Sequence, residues 1–107
     1  MKNTKTLVKK VRLSLEEIRI IKKYARKYFG DKIKMILFGS RVNIEKRGGD
    51  IDLCIESSQK FPLQAKISFL AELKEELDDQ KVDLILKTPK IPHKDIFSYI
   101  QKEGVEL

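Results

Sequence analysis

A chain of 107 residues with a formal net charge of +7 has room for one domain around one core, and none for a second. Hydrophobic residues make up 41% of the chain and charged residues 36%, a balance typical of a folded soluble domain rather than a disordered segment. No apolar stretch approaches the roughly 18 residues of a membrane span, no secretory signal opens the chain, and Cys54 has no second cysteine to pair with, so the composition favours a cytoplasmic protein away from membranes.

Residues 1–13 are predicted to form a basic tail, and residues 14–107 the folded domain. The first 12 residues contain five Lys or Arg and no acid, so the rest of the chain carries only +2 of the net charge of +7. The basic character is therefore mostly a property of the tail, which is usually only solvated. The sequence does not favour nucleic acid as the main partner.

The first predicted helix covers residues 14–29. Ser14 and Glu17 form a capping box, in which each side chain binds a backbone N–H group of the other residue. Gly30 supplies a stop after the helix. The apolar residues of this helix recur at helical spacing, and they are Leu15, Ile18, Ile21, Ala25 and Tyr28.

Three strands are predicted. Residues 33–38 are almost all apolar, which suits a strand covered on both faces. Residues 50–56 follow a turn at Gly48 and Gly49 and alternate with period two, so that Asp50, Asp52, Cys54 and Glu56 share one face and Ile51, Leu53 and Ile55 the other. Residues 82–86 form the third strand.

Two further helices complete the predicted domain. One has Pro62 in its first turn and an apolar stripe of Leu63, Ile67, Leu70, Leu73 and Leu77. The other covers residues 93–102, and a short helical piece is expected after the first strand. This order predicts an α/β (α+β) fold in which a small three-stranded mixed sheet packs with about four helices.

Three aspartates are the candidate metal ligands. Asp50 and Asp52 are two apart on a strand, so their side chains point the same way about 6.6 Å apart. At an effective dielectric constant of about 20, their carboxylates repel by roughly 2.4 kcal/mol. Asp83, on the third strand, would add to this repulsion if the strands are neighbours. A cation relieves such a cluster, and hard oxygen ligands select Mg²⁺ or Mn²⁺.

Gly39, Ser40 and Arg41 are the candidate phosphate-binding residues. They follow a buried strand directly, and Gly39 allows a phosphate to approach the backbone closely. The Ser40 hydroxyl can donate to a phosphate oxygen, and a guanidinium such as that of Arg41 suits phosphate geometry. With the aspartates, these residues supply the parts that phosphoryl or nucleotidyl transfer needs.

The chain resembles the DNA polymerase β-type nucleotidyltransferase superfamily in three segments. They are Ile36-Leu37-Phe38-Gly39-Ser40-Arg41, Asp50-Ile51-Asp52-Leu53 and Lys81-Val82-Asp83-Leu84-Ile85. Within that superfamily, the chain is most similar to the minimal nucleotidyltransferase (MNT) antitoxins that pair with HEPN toxins.

This resemblance implies the nucleotidyltransferase fold and a role for each motif residue. Gly39 and Ser40 would hold the triphosphate of ATP, and Asp50 and Asp52 would bind two Mg²⁺ ions. Asp83 would complete the site of the catalytic ion and help to activate the acceptor. The implied activity is transfer of AMP to a Tyr of a HEPN toxin, which silences the toxin within a hetero-oligomer.

Two departures from the family pattern keep a second hypothesis open. Many relatives continue after Gly-Ser as Arg-Ala-Arg-Gly, whereas Asn43 replaces the second Arg here, and Gly49 stands where a Ser often precedes the first Asp. The alternative is therefore a catalytically weak or inactive antitoxin that binds its partner and inhibits it by contact. Retention of all three aspartates favours the active enzyme. Since the chain has no room for an acceptor domain, we expect the acceptor to be a protein.

Overall fold

The computed structural model describes residues 13–42, 50–89 and 95–107. Most of the basic tail, the departures at Asn43 and Gly49, and the predicted helix start at residue 93 lie outside these residues. In chain order the elements are helix α1 (Leu15–Phe29), strand β1 (Lys34–Phe38), a 3-10 turn (Gly39–Val42), strand β2 (Ile51–Glu56), helix α2 (Leu63–Glu76), strand β3 (Val82–Lys87), helix α3 (Asp95–Glu103) and strand β4 (Val105–Glu106).

The four strands form one mixed sheet in the order β3-β2-β1-β4. β1 runs antiparallel to both β2 and β4, whereas β2 and β3 are parallel. The predicted α+β class and mixed sheet are confirmed, but the sheet has a fourth strand that the sequence analysis did not predict. β4 has only two residues, too few to show an alternating pattern.

Helix α1 begins at the predicted capping box. The backbone N–H of Ser14 donates to Oε1 of Glu17 at 2.9 Å, and the backbone N–H of Glu17 donates to Oγ of Ser14 at 3.0 Å. The helix ends at Gly30, whose φ of 85° is one that glycine adopts without strain. Leu13, which the sequence analysis placed in the tail, is buried against the core.

Alternation along the strands separates two apolar clusters. One face of the sheet packs on α1 and α2 through residues such as Leu37, Leu53 and Ile55. The opposite face is covered by α3, and its smaller cluster consists of Ile36, Phe38, Cys54, Phe97 and Ile100. Asp52 precedes Cys54 by two residues, so it lies on the α3 face, as the period of two predicts.

The predicted apolar stripe of α2 is partly wrong. Leu63 is 70% exposed and Ile67 51% exposed, while Phe69, Leu73 and Leu77 are buried. The ring of Phe69 lies 5.3 Å from that of Phe29, at an interplanar angle of 71°. An aromatic ring buries more apolar area than Leu or Ile. The helix therefore turns the Phe69 side toward the core, which leaves its first turns with exposed apolar side chains.

Substitutions on the two sides of α2 should distinguish these orientations. Phe69→Ala should lower the free energy of unfolding by about 3–5 kcal/mol, because it removes a fully buried ring. Ile67→Ala should change it by about 0.5 kcal/mol or less, as at other exposed positions. Urea unfolding of both variants measures the difference. Equal losses, or a larger loss for Ile67→Ala, would contradict the observed packing.

Candidate active site

The central feature of the site is a pair of aspartates on adjacent strands. The parallel register of β2 and β3 pairs Asp52 directly with Asp83. Asp52 is half-buried and Asp83 is exposed. Burial raises the pKa of Asp52 above its ordinary value, and the charges of Asp83 and Asp50 and a hydrogen bond with Asp83 raise it further. Two carboxyl groups can share a hydrogen bond only if a proton lies between them, so this position also suits a cation.

Asp50 stands just before β2 at the same end of the sheet. Its Oδ2 lies 3.7 Å from Nζ of Lys81, and the two side chains are 44% and 70% exposed. An ion pair this exposed contributes little to stability. A backbone hydrogen bond from Ile51 to the carbonyl of Lys81, at 3.0 Å, ties the two segments together. Asp50 is therefore beside the aspartate pair, with its carboxylate near a weakly held lysine.

The arrangement fits a hard cation without forming a finished metal site. Within residues 13–42, 50–89 and 95–107, no group of three potential ligands is already close enough to hold an ion. The pair of Asp52 and Asp83 nevertheless offers carboxylate oxygens whose mutual repulsion a divalent ion would relieve, and such oxygens suit Mg²⁺. Since the pair with Lys81 is exposed and weak, rotation of the Asp50 side chain toward a bound ion would cost little.

Gly39 lies directly over the carboxylate of Asp52. Phe38, the last residue of β1, pairs with Asp52, and Gly39 follows with φ of 78°. A Cβ atom at Gly39 would clash with Oδ2 of Asp52, so both the backbone angle and the available space require glycine here. The 3-10 turn that begins at Gly39 also contains Ser40 and Arg41. The fold therefore brings the predicted phosphate-binding turn next to a predicted metal ligand.

The side chain of Arg41 makes a contact that the sequence analysis did not anticipate. Its Nη2 donates to Oε1 of Gln80 at 2.7 Å, and Nε2 of Gln80 donates to Oε2 of Glu17 at 2.8 Å. Burial alone would raise the pKa of Glu17, but hydrogen bonds from Gln80 and Ser14 and the charge of Arg41 lower it below its ordinary value. Gln80 was not identified from the sequence because it lies outside the three motif segments, and Lys81, which opens the third segment, was given no role there.

Neither the cysteine nor the largest groove described below belongs to the site. Burial raises the pKa of the Cys54 thiol to about 11, so it is a small packing residue beneath α3 rather than a reactive thiolate. A groove of about 670 Å³ opens at the opposite end of the sheet, where Lys34, Glu56 and Lys87 line it, and none of the six predicted site residues does. None of the helices within the described ranges is long and apolar enough to cross a membrane.

The sequence matches a family model described as "Nucleotidyltransferase domain" over residues 18–105. That range includes all six predicted site residues. No curated protein matches the chain.

Solved structures similar to this chain come from toxin–antitoxin complexes. One contains a tri-AMPylated HEPN toxin of Shewanella oneidensis in complex with an MNT antitoxin. Its matched chain is 22% identical to this chain, with a TM-score of 0.59. The match covers 86% of this chain and 68% of that chain. Two others are mutants of the toxin–antitoxin pair MntA–HpeT. The first has a TM-score of 0.62 at 22% identity and coverages of 86% and 71%, and the second has 0.61 at 23% with 87% and 71%. At such identities the likeness shows the fold.

Removal of one charge from the aspartate pair should stabilise the metal-free protein. Because the pKa of Asp52 is raised in the folded state, the folded protein binds this proton more readily than the unfolded chain, and wild-type stability falls as the pH rises through the carboxyl range. In EDTA at pH 7, Asp52→Asn should therefore raise the free energy of unfolding. The gain should stay below about 1 kcal/mol, because solvent screens a half-exposed group.

Thermal unfolding from pH 7 down to about pH 3 tests this, since the advantage of the variant should shrink as the wild-type carboxyl groups become protonated. Asp31→Asn, which changes an exposed aspartate before β1, is the matched control and should show no such gain. A destabilised Asp52→Asn protein at pH 7 would contradict the repulsion.

Proposed function

The chain belongs to the nucleotidyltransferase domain family, and from this premise we propose that it is a Mg²⁺-dependent adenylyltransferase that transfers AMP from ATP to a HEPN-type toxin. The observation that carries the proposal is the direct pairing of Asp52 with Asp83 beneath Gly39. A pair of carboxylates beside a glycine turn offers oxygens for metal ions and backbone for phosphates at one place.

The three aspartates and the glycine turn have separate roles in this proposal. Asp50 and Asp52 would hold two Mg²⁺ ions, and Asp83 would complete the site of one of them. The bound ions supply charge that neutralises the triphosphate and its leaving group. The turn at Gly39 and Ser40 would bind the phosphates that depart as pyrophosphate.

The transfer forms one bond and breaks one. The oxygen of an acceptor hydroxyl bonds to the α-phosphorus of ATP, and the bond from that phosphorus to the oxygen bridging to the β-phosphate breaks. Pyrophosphate leaves with the electron pair of that bond. By the resemblance, Asp83 is the group that would help to activate the acceptor by taking the proton of the hydroxyl, and its exposure leaves it accessible to an incoming acceptor.

A protein acceptor is favoured by the openness of the site. The aspartates lie at an end of the sheet, with Asp83 exposed, and none of the described pockets encloses them. The acceptor would then bring its own surface, and catalysis would take place in a hetero-oligomer. The similar structures contain toxin–antitoxin pairs, and one of those toxins is AMPylated, which supports a HEPN toxin as the partner here.

A second candidate is an antitoxin that inhibits by contact alone. The observation that favours it is the position of Asp50, whose carboxylate lies near Lys81 instead of converging with Asp52 and Asp83. If that arrangement persisted with nucleotide present, the second metal ion would lack a ligand. The two candidates differ in whether the partner gains mass.

Incubation with a HEPN-type partner, ATP and Mg²⁺ should add one or more AMP units to the partner, visible by intact-mass spectrometry. Asp83→Asn should slow the addition by at least about a hundredfold, because metal-centred charge stabilisation supplies several kcal/mol of the barrier reduction. Asp95→Asn, an exposed aspartate on α3, is the control that should retain the wild-type rate. If wild type and Asp83→Asn inhibited the partner equally, without added mass, the result would contradict the enzyme and favour an antitoxin that inhibits by contact.

A further inference from the structure

Residues 80–83, which lead into β3 and form its first two positions, contact three separate parts of the site. Asp83 pairs with Asp52, and Nζ of Lys81 lies 3.7 Å from Asp50. Gln80, at the start of the segment, accepts a hydrogen bond from Arg41 in the 3-10 turn. The first two contacts involve the predicted metal ligands. The third connects the segment to the predicted phosphate-binding turn, and no role has been assigned to it.

All the contacts of the Gln80 side chain agree on a single orientation of its amide. The carbonyl oxygen accepts from Nη2 of Arg41 at 2.7 Å, while the amide nitrogen donates to Oε2 of Glu17 at 2.8 Å and to the carbonyl oxygen of Leu77 at 3.1 Å. A flipped amide would point its N–H groups at a guanidinium and its oxygen at two acceptors. The amide is therefore fixed by its partners.

The network also anchors the turn to a rigid element. Glu17 belongs to the capping box at the start of α1, where it exchanges hydrogen bonds with Ser14. Gln80 thus connects the capped end of a helix to the guanidinium of Arg41, which directly follows Gly39 and Ser40. A side chain held in this way loses less freedom when it binds a ligand than one that is held only by solvent.

The hydrogen bond from Arg41 to Gln80 adds no negative charge beside the guanidinium. An amide oxygen is a neutral acceptor, so the hydrogen bond to Gln80 orients Arg41 without adding a negative charge; the Glu17 carboxylate interacts with Arg41 through its charge but bonds to the amide nitrogen of Gln80. A carboxylate at position 80 could also accept from the guanidinium, but it would cancel much of the attraction of Arg41 for an anion and would face the acceptors on Glu17 and Leu77. A neutral acceptor therefore suits an arginine that serves a polyanionic ligand.

We propose that Gln80 is a positioning residue of the nucleotide site, which holds Arg41 where its guanidinium can bind the phosphates of ATP. This inference rests on the proposed nucleotidyltransferase function. In this role Gln80 acts through Arg41, since its side-chain hydrogen bonds go to Arg41, Glu17 and Leu77. Its loss should affect ligands in proportion to their phosphates, because the adenine and ribose do not depend on Arg41.

The test measures nucleotide affinity by calorimetry for wild type, Gln80→Ala, Arg41→Ala and the double variant, with Mg²⁺ present. Gln80→Ala should bind ATP about tenfold more weakly, as expected for a lost hydrogen bond to a charged group, and adenosine almost as well as wild type does. In the Arg41→Ala background, removal of Gln80 should change ATP affinity by less than about twofold, because the two residues act as a unit. In AMP transfer, the KM for ATP should rise more than kcat falls.

Gln64→Ala is the matched control. Gln64 is an exposed glutamine on α2 whose amide donates to Oγ of Ser68 at 3.1 Å, so its loss should leave ATP affinity unchanged. Gln80→Glu covers the case in which Gln80→Ala fails to fold: it keeps the size of the side chain and an acceptor for Arg41, but it places a negative charge beside Arg41 and loses the donations to Glu17 and Leu77. It too should weaken ATP binding.

Three results would overturn the inference while the proposed function stands. They are wild-type ATP affinity in the Gln80 variants, equal losses for ATP and adenosine, and effects of Gln80→Ala and Arg41→Ala that simply multiply in the double variant. Absence of Mg²⁺-dependent ATP binding by the wild-type protein would overturn the proposed function and this inference together.

Discussion

The site depends on one constraint, which is that parallel pairing of β2 and β3 places Asp52 directly beside Asp83. Two ionised carboxylates this close repel each other, and the partial burial of Asp52 adds a cost of desolvation. Without a cation, a shared proton relieves the pair, and the charge of Lys81 offsets part of the repulsion. The fold therefore holds the two carboxylates in an arrangement that favours a divalent ion. The raised pKa of Asp52 reflects their repulsion and the burial of Asp52.

Packing in the rest of the fold holds the two carboxylates together despite their repulsion. Ile51, Leu53 and Ile55 fill the opposite face of β2 and are fully buried in the main core, so the strand cannot move to separate the charges. The antiparallel partner β1 ends opposite Asp52 and turns sharply at Gly39, where only a hydrogen atom fits over the carboxylate. The apolar packing thus fixes the strands, and the strands fix the spacing of the acids.

Much of this could be predicted from the sequence because the signals are local and repeat along the chain. The capping box at Ser14 and Glu17, the alternation from Asp50 to Glu56 and the glycine at position 39 each reflect geometry within one element or turn. The roles assigned to the six motif residues stay predictions, although the fold brings Asp50, Asp52, Asp83 and the Gly39 turn to one end of the sheet.

The missed features depend on contacts between distant segments. The bond between Arg41 and Gln80 joins residues 39 positions apart, and no spacing rule pairs a turn arginine with a glutamine before another strand. Strand β4 is fixed by its docking on β1, since the backbone N–H of Leu107 donates to the carbonyl of Met35 at 2.9 Å. The exposed Leu63 likewise follows from the packing of Phe69 on Phe29, which helical periodicity alone does not reveal.

A calorimetric titration of ATP into the wild-type protein shows whether this carboxylate cluster is a site for metal-bound nucleotide. Three acidic side chains at one end of the sheet repel a triphosphate until divalent ions bridge them. We expect clear binding of ATP in Mg²⁺ and at least about tenfold weaker binding in EDTA. Equal affinity under the two conditions would contradict it, because the nucleotide would then be bound without the ions that the aspartates are proposed to hold.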